Sequence, residues 1–79
     1  MVIHQKLDLS RSVSFISLLE FRKEMTILEP GDRLVVILDD QDTVADLQRI
    51  VERSQDRITQ ITKENDRYII DVLKGKNTG

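Results

Sequence analysis

The side chains that could do chemistry in this sequence are few and lie in two places. Ser12 and Ser14 precede a segment of periodic apolar residues, and residues 39–42 supply three aspartates after an aliphatic run. A serine acts as a nucleophile only when a neighbouring base activates it and a third group orients that base. The chain has one histidine, His4, in a separate N-terminal segment, and it has no cysteine. The sequence therefore offers no catalytic constellation, and we expect a protein that is not an enzyme.

The aspartate cluster, Asp39, Asp40 and Asp42, could offer oxygen atoms to a divalent cation. Three carboxylates fall short of the roughly six to eight oxygens that surround calcium, and the glycine and distal glutamate of an EF-hand loop are missing. A lone histidine without cysteines cannot complete a zinc site. We interpret the aspartates as solvated loop charges at a helix N-terminus, where negative charge is favourable. We expect no metal ion and no cofactor.

Length and charge exclude several classes of protein. The chain has 79 residues, with 12 basic and 14 acidic side chains and a net charge of −2. This is one small domain, and its charge lacks the basic footprint of a duplex-binding protein. No apolar run approaches the roughly 20 residues of a membrane span, and no signal-peptide pattern opens the chain. We expect a cytoplasmic protein that binds neither nucleic acid nor membrane.

The spacing of apolar residues predicts secondary structure in the order β-α-β-α-β-β. Alternation over the first segment is typical of an edge strand, and the aliphatic run that lacks alternation is typical of a central strand. Proline and glycine at Pro30-Gly31, and asparagine at Asn65, mark the breaks between elements. The predicted elements are strands over residues 2–9, 33–38, 57–63 and 67–73 and helices over residues 15–28 and 43–54.

Residues that begin the two helices can also be predicted. Ser12 or Ser14 can accept a hydrogen bond as N-cap of the first helix, and Thr43 with Asp46 resembles a capping box at the second. The first helix presents an apolar stripe that we expect to lie in the core. Its members are Phe15, Leu18, Leu19, Phe21, Met25 and Leu28.

Together these elements predict an α/β (α+β) two-layer sandwich. A mixed four-stranded sheet carries two helices on one face. We expect a single domain over residues 1–74, followed by a frayed tail over residues 75–79, which is polar.

The residues at the junctions between the predicted elements resemble those of the TusA/SirA/YedF family of sulfur carriers. The similarity extends over about residues 7–73 and rests on several short matches in the right order. These are Leu7-Asp8 at the end of the first strand, Arg22-Lys23, Pro30-Gly31-Asp32, the acids Asp40 and Asp46, and the aliphatic pair Ile58 and Ile61. The resemblance implies the same β-α-β-α-β-β fold.

The family motif Cys-Pro-x-Pro aligns with residues 14–17, so Ser14 stands at the position of the family cysteine. The resemblance implies that this cysteine would accept a persulfide sulfur as a thiolate and pass it to a partner. A serine hydroxyl is not ionised near neutral pH and cannot hold a persulfide. We therefore expect the fold without sulfur transfer, and Arg11, Ser14 and Ser17 as remnants of a docking surface.

A second candidate contact surface follows from the two-layer architecture. Helices cover one face of the sheet, yet the central strand is apolar on both, with Leu34, Val36 and Leu38 against Val35 and Ile37. We expect an apolar patch on the open face that binds a protein partner or a second copy of the chain. The candidate contact residues are Val35, Val36, Ile37, Tyr68 and Ile70.

Three functions are compatible with these observations. The first is a non-catalytic interaction or regulatory module. The second is an accessory component of a sulfur relay that acts through a partner's cysteine. The third is RNA binding, because the fold resembles the C-terminal domain of bacterial translation initiation factor three; the acidic balance and single tyrosine argue against it. We favour the first.

Overall fold

The computed structural model describes residues 4–11 and 13–76, with His4 and Ser14 described by their backbone alone. The predicted fold class is confirmed: a mixed four-stranded sheet and two helices follow one another in the order β-α-β-α-β-β. Residues 2 and 3 of the predicted first strand, and residues 77–79 of the predicted tail, lie outside this description. The elements are β1 (His4–Asp8), α1 (Ser14–Ile27), β2 (Arg33–Leu38), α2 (Gln41–Glu52), β3 (Arg57–Glu64) and β4 (Arg67–Leu73).

The sheet has the strand order β1-β2-β4-β3, so β1 and β3 form its edges. Strand β1 runs parallel to β2, whereas β4 is antiparallel to both β2 and β3. The prediction of an edge strand followed by a central aliphatic strand is confirmed. In a strand, alternate side chains point to opposite faces, so the register also fixes which residues face the helices.

The core lies between the helices and one face of the sheet. Leu34, Val36 and Leu38 of β2 point to this face and have almost no exposed surface. Their neighbours Val35 and Ile37 point to the other face, which no helix covers. The remaining core consists of Leu9, Phe21, Met25, Leu28, Val44, Leu47, Val51, Ile70 and Val72.

The turn that links α1 to β2 is tied to the end of β4. Gly31 adopts a left-handed φ of 93°, which favours glycine, directly after Pro30. Its N–H donates to the carbonyl of Lys74, and the N–H of Lys74 donates to the carbonyl of Asp32, at 2.9 and 2.8 Å. The buried Asp32 carboxylate also accepts from the N–H of Glu29 at 2.8 Å. The Pro-Gly-Asp sequence is thus explained by the turn it builds.

The packed chain continues to Gly75, one residue beyond the predicted end of the domain. The N–H of Gly75 donates to the carboxylate of Asp56 at 2.9 Å. A side chain at this position would collide with the backbone carbonyl of Gln55. Glycine is therefore required here by a close approach of two backbone segments.

The β3–β4 hairpin contains two irregularities. Asn65 in the turn has a φ of 57°, the left-handed conformation that asparagine tolerates. A β-bulge between Ile58 and Gln60 shifts the register against β4. Because of the bulge, Ile58 pairs with Val72 and Ile61 pairs with Ile70, so both isoleucines face the helices despite their odd spacing. The bulge therefore explains why Ile58 and Ile61 are both aliphatic although they lie three residues apart.

The N-terminus of α2 differs from the prediction. The N-cap is Asp40, not Thr43, and its carboxylate accepts from the N–H of Thr43 at 3.3 Å and from the Thr43 hydroxyl at 2.7 Å. Thr43 itself is buried in the first turn. The hydrogen bond from the Thr43 hydroxyl, followed by those from backbone N–H groups, lowers the pKa of Asp40 below its ordinary value of 3.8.

We expect the Asp40→Asn variant to change how the stability of the domain depends on pH. The hydrogen bonds from Thr43 favour the charged carboxylate, so their stabilisation is present above the ordinary pKa of 3.8 and is lost as the pH falls through the lowered value. Thermal unfolding measured between pH 2 and pH 7 should show a smaller acid-induced loss in Asp40→Asn than in the wild type. Asp39→Asn, at an exposed position outside the cap, is the control and should match the wild type.

Candidate functional site

Helix α1 begins without a polar cap. Val13 is its N-cap and Ser14 its first residue, so of the two predicted caps, Ser12 or Ser14, Ser14 does not occupy the cap position, and Ser12 lies outside the described residues. The carbonyl of Val13 accepts the first helical bond, from the N–H of Ser17 at 2.9 Å. Valine has no side-chain acceptor, and the first turn contains no acidic residue. The N-cap residue itself therefore supplies no side-chain partner to the N–H groups of this turn.

Around this helix start lies a cluster of exposed apolar side chains, which we call the α1 patch. The prediction that Phe15 and Leu19 belong to the core is wrong, because these residues lie on a face of α1 different from the buried row that begins with Ser17. Helix α1 buries Phe21 and Met25, as predicted, and with them the polar Ser17. The α1 patch consists of Val13, Phe15, Ile16 and Leu19, which are 68%, 75%, 42% and 46% exposed.

Next to the α1 patch, a groove runs between the two helices. Phe15, Leu18 and Leu19 of α1 and Ile50 of α2 line it, with Arg22 at its side, and its volume is about 230 Å³. Pockets that hold drug-sized molecules or cofactors measure roughly 300–1,000 Å³. The groove is thus smaller than such pockets.

The residues predicted to form a docking surface near Ser14 are only partly brought together. Arg11 is exposed in the loop before α1. Ser17 is buried beneath the helix, with 2% of its surface exposed, so it faces the core and not a partner. Ser14 lies at the first position of α1, between Val13 and Phe15.

Arg11 also borders a shallow cavity at the end of β1. The other lining residues are Asp8, Ser10 and Arg67, and the volume is about 400 Å³. The N–H of Ser10 donates to the carboxylate of Asp8 at 3.0 Å. Hydrogen bonds from the side chain and then the backbone of Ser10 lower the pKa of Asp8, and the nearby charge of Arg67 acts in the same direction. Asp8 thus stays ionised and holds the loop, which explains the Leu7-Asp8 junction.

The open face of the sheet carries a narrow apolar strip rather than a broad patch. Val35 and Ile69 are half-buried, and Ile37 is buried. Polar side chains from the edge strands flank this strip, because Lys6 pairs with Val35 and Thr62 pairs with Ile69. None of the strongly exposed large apolar side chains of the described chain lies on this face: they are Val13, Phe15, Ile16, Leu19, Ile27 and Ile61.

Three of the residues predicted as contacts on the open face point the other way. Val36 and Ile70 are fully buried on the helix side of the sheet. Tyr68 packs against the core on the same side, and the ammonium nitrogen of Lys63 lies 5.6 Å from the centre of its ring. Only Val35 and Ile37 of the predicted set therefore remain on the open face.

The described chain shows neither a cluster of metal ligands nor a membrane-spanning helix. Residues 4–11 and 13–76 contain no group of three histidine, aspartate or glutamate side chains placed to hold a metal ion. No helix in these same ranges is long and apolar enough to cross a membrane. Asp40, from the acidic cluster, is engaged in capping α2.

The α1 patch was missed at the sequence level, although α1 carries a signal for it. Phe15, Ile16, Leu18 and Leu19 lie within five residues of one another, which is more apolar surface than one helical stripe can bury. A helix with apolar residues on more than one side is either completely buried or exposes apolar surface that can form contacts. Here the sheet covers one side only, so Phe15, Ile16 and Leu19 stay exposed.

The chain matches the model of a known protein family. A family model described as sulfurtransferase TusA matches residues 5–74, which includes all six elements apart from the first residue of β1. No curated protein matches the chain.

Proposed function

We propose that this chain, which belongs to the sulfurtransferase TusA family, is a non-catalytic module that binds a protein partner through the α1 patch and does not carry sulfur itself. The observation that carries this proposal is the position of the patch. Its exposed apolar residues flank Ser14 in the sequence, the position to which our alignment assigns the family cysteine. Persulfide chemistry needs a thiolate, and the chain has no cysteine. What remains at this site is a surface suited to binding.

Folding does not account for the α1 patch. Phe15 keeps three-quarters of its surface exposed and Val13 about two-thirds, so neither adds much to the core. Single exposed apolar residues are common on protein surfaces, but here four of them fall within residues 13–19 at the start of one helix. Burying a phenylalanine or leucine side chain contributes roughly 1.5–3 kcal/mol, which becomes available when a partner covers the patch.

Phe15 should contribute most to such a contact. Aromatic side chains bury a large area with little rotamer entropy to lose, and Phe15 lines the groove. A few central side chains usually dominate the binding energy of an interface. The wider role then depends on the partner: a sulfurtransferase would make the chain an accessory of a sulfur relay, and any other protein would make it a regulatory module.

Site-specific photo-crosslinking in the native host tests this proposal. Benzoylphenylalanine is placed at position 15 or, as a matched control, at position 27. Ile27 is also strongly exposed, 67%, but lies at the opposite end of α1. We expect specific protein adducts from position 15 and none from position 27, with the partner identified by mass spectrometry. Equal adducts from both positions, or none from position 15, would refute a contact through the α1 patch.

A further inference from the structure

Strand β3 forms an open edge of the sheet. Within residues 4–11 and 13–76, β4 is its only partner strand, and every residue of β3 except Ile58 is exposed. An open edge presents backbone N–H and C=O groups that can pair with a further strand. The strand is also rich in β-branched residues, which favour such pairing: Ile58, Thr59, Ile61 and Thr62.

Ile61 is an apolar residue of this edge that a single chain does not bury. It faces the helix side of the sheet, opposite Ile70 of β4, yet 39% of its surface is exposed. Glu64 and Arg67 flank the two-residue turn of the hairpin, and residues in that position form a hydrogen-bonded pair. Because hydrogen-bonded and non-hydrogen-bonded pairs alternate along the ladder, the backbone groups of Ile61 are directed away from β4.

The sequence of β3 is complementary to itself when two copies lie antiparallel with Ile61 opposite Ile61. Residues that face each other across a ladder share one face of the sheet, so the extra residue of the bulge does not add a position. Arg57 of each copy then faces Glu64 of the other, and Gln60 faces Thr62, all on the open face. Opposite charges therefore meet at both ends of the contact, and an apolar pair lies at its centre.

Other registers lose this complementarity. A pairing centred on Lys63 sets two ammonium groups against each other, and one centred on Thr62 places Ile61 opposite Lys63. Lysines and bulges usually protect an edge against pairing. In the register centred on Ile61, however, Lys63 stands opposite Ile58, which lines a depression together with the acidic Glu52.

We infer that two copies of this chain pair antiparallel through β3, with Ile61 at the two-fold axis, and form one continuous sheet. The contact is symmetric, so it closes at a dimer. Pairing of β3 with β1 of another copy would instead leave an edge open at each end and continue into longer chains. No residue of the α1 patch takes part, so this inference does not depend on the proposed function.

The test uses two charge-reversed variants of the full chain, Arg57→Glu and Glu64→Arg. Each variant alone places like charges at both ends of the antiparallel contact, whereas their equimolar mixture places opposite charges there. Arg22→Glu, at an exposed arginine of α1, is the matched charge control, and Ile61→Asp removes the central apolar pair. Sedimentation velocity is measured at protein concentrations up to about 0.5 mM, which covers affinities from micromolar to nearly millimolar. Circular dichroism verifies that each variant is folded.

We expect the wild type and Arg22→Glu to dimerise equally. Each charge-reversed β3 variant alone should dimerise about tenfold more weakly, the mixture should regain the wild-type affinity, and Ile61→Asp should be monomeric. A monomeric wild type would leave the edge to a strand of another protein and would overturn the inference. So would species larger than a dimer, or a mixture that associates no better than its two components. None of these outcomes changes the crosslinking result at position 15, so the two proposals fail separately.

Discussion

The Val36→Asp variant is expected to be unfolded at neutral pH, whereas Val35→Asp folds. Val36 has no exposed surface and lies between Leu7 of β1 and Ile70 of β4 on the helix side of the sheet. An aspartate there must either bury a charge or be protonated at pH 7. Protonation against a pKa near 3.9 costs about 4 kcal/mol, and the lost apolar burial adds to it. A domain of this size has a stability of roughly 4–12 kcal/mol, so the variant loses most or all of it.

Measurements on matched variants separate the effect of charge from that of packing. Burial raises the folded-state pKa of the new carboxyl, so the penalty is present at neutral pH and is relieved as the pH falls towards the unfolded value. Circular dichroism should therefore show partial refolding of Val36→Asp near pH 4. Val36→Asn, which cannot titrate, should show no such recovery.

Val35→Asp serves as the control for the direction of the strand. Val35 is half-exposed on the open face, between Lys6 and Asp71 in the ladder, so a carboxylate there meets one favourable and one unfavourable charge. We expect a loss of about 1 kcal/mol, typical of a surface substitution in a strand. If Val35→Asp unfolds while Val36→Asp remains folded, the register of β2 in this sheet is wrong.

The fold could be predicted from the sequence because its breaks are strongly marked. Pro30-Gly31 ends the first helix, and Asn65 supplies the left-handed residue of the hairpin. The alternation around Leu7 indicates a one-sided edge strand, and the run at Leu34 indicates a central strand. Local conformational preference decides each of these features, so they are readable without knowing the tertiary structure.

The faces of the strands and helices were harder to predict, because they depend on what packs above them. In β2 a shift of one residue exchanges Val35 with Val36, and only the pairing with β1 and β4 determines which is buried. In α1 the buried row includes the polar Ser17, and the apolar Phe15 lies outside it. Periodicity identifies residues that share a direction but not whether another layer lies in that direction.

The N-cap of α2 was hard to predict for a similar reason, because it also depends on the tertiary structure. Asp40 and Thr43 are both good N-cap residues, and their spacing suits either assignment. Which of them caps α2 depends on where β2 ends and the chain turns. In the structure the turn occurs after Leu38, so Asp40 is the cap and Thr43 becomes a buried residue of the first turn.

A cysteine placed at position 14 should have a thiol pKa well below the ordinary value of about 8.5. Position 14 is the first residue of α1, where the helix dipole and the N–H groups of the first turn favour a thiolate. Arg11 nearby adds positive charge, and the first turn has no acidic residue that would oppose it. A pKa lowered by about one unit raises the thiolate fraction at pH 7 about eightfold over a free thiol.

The measurement is the rate of alkylation of Ser14→Cys as a function of pH. The wild-type chain has no cysteine, so the introduced thiol is the only one that reacts. Ile27→Cys is the matched control, because it is exposed on the same helix at the end where the dipole disfavours a thiolate. We expect a lower apparent pKa at position 14 than at position 27. An equal or higher value at position 14 would mean that the helix start does not activate a thiol, and that the alignment of Ser14 with the family cysteine is wrong.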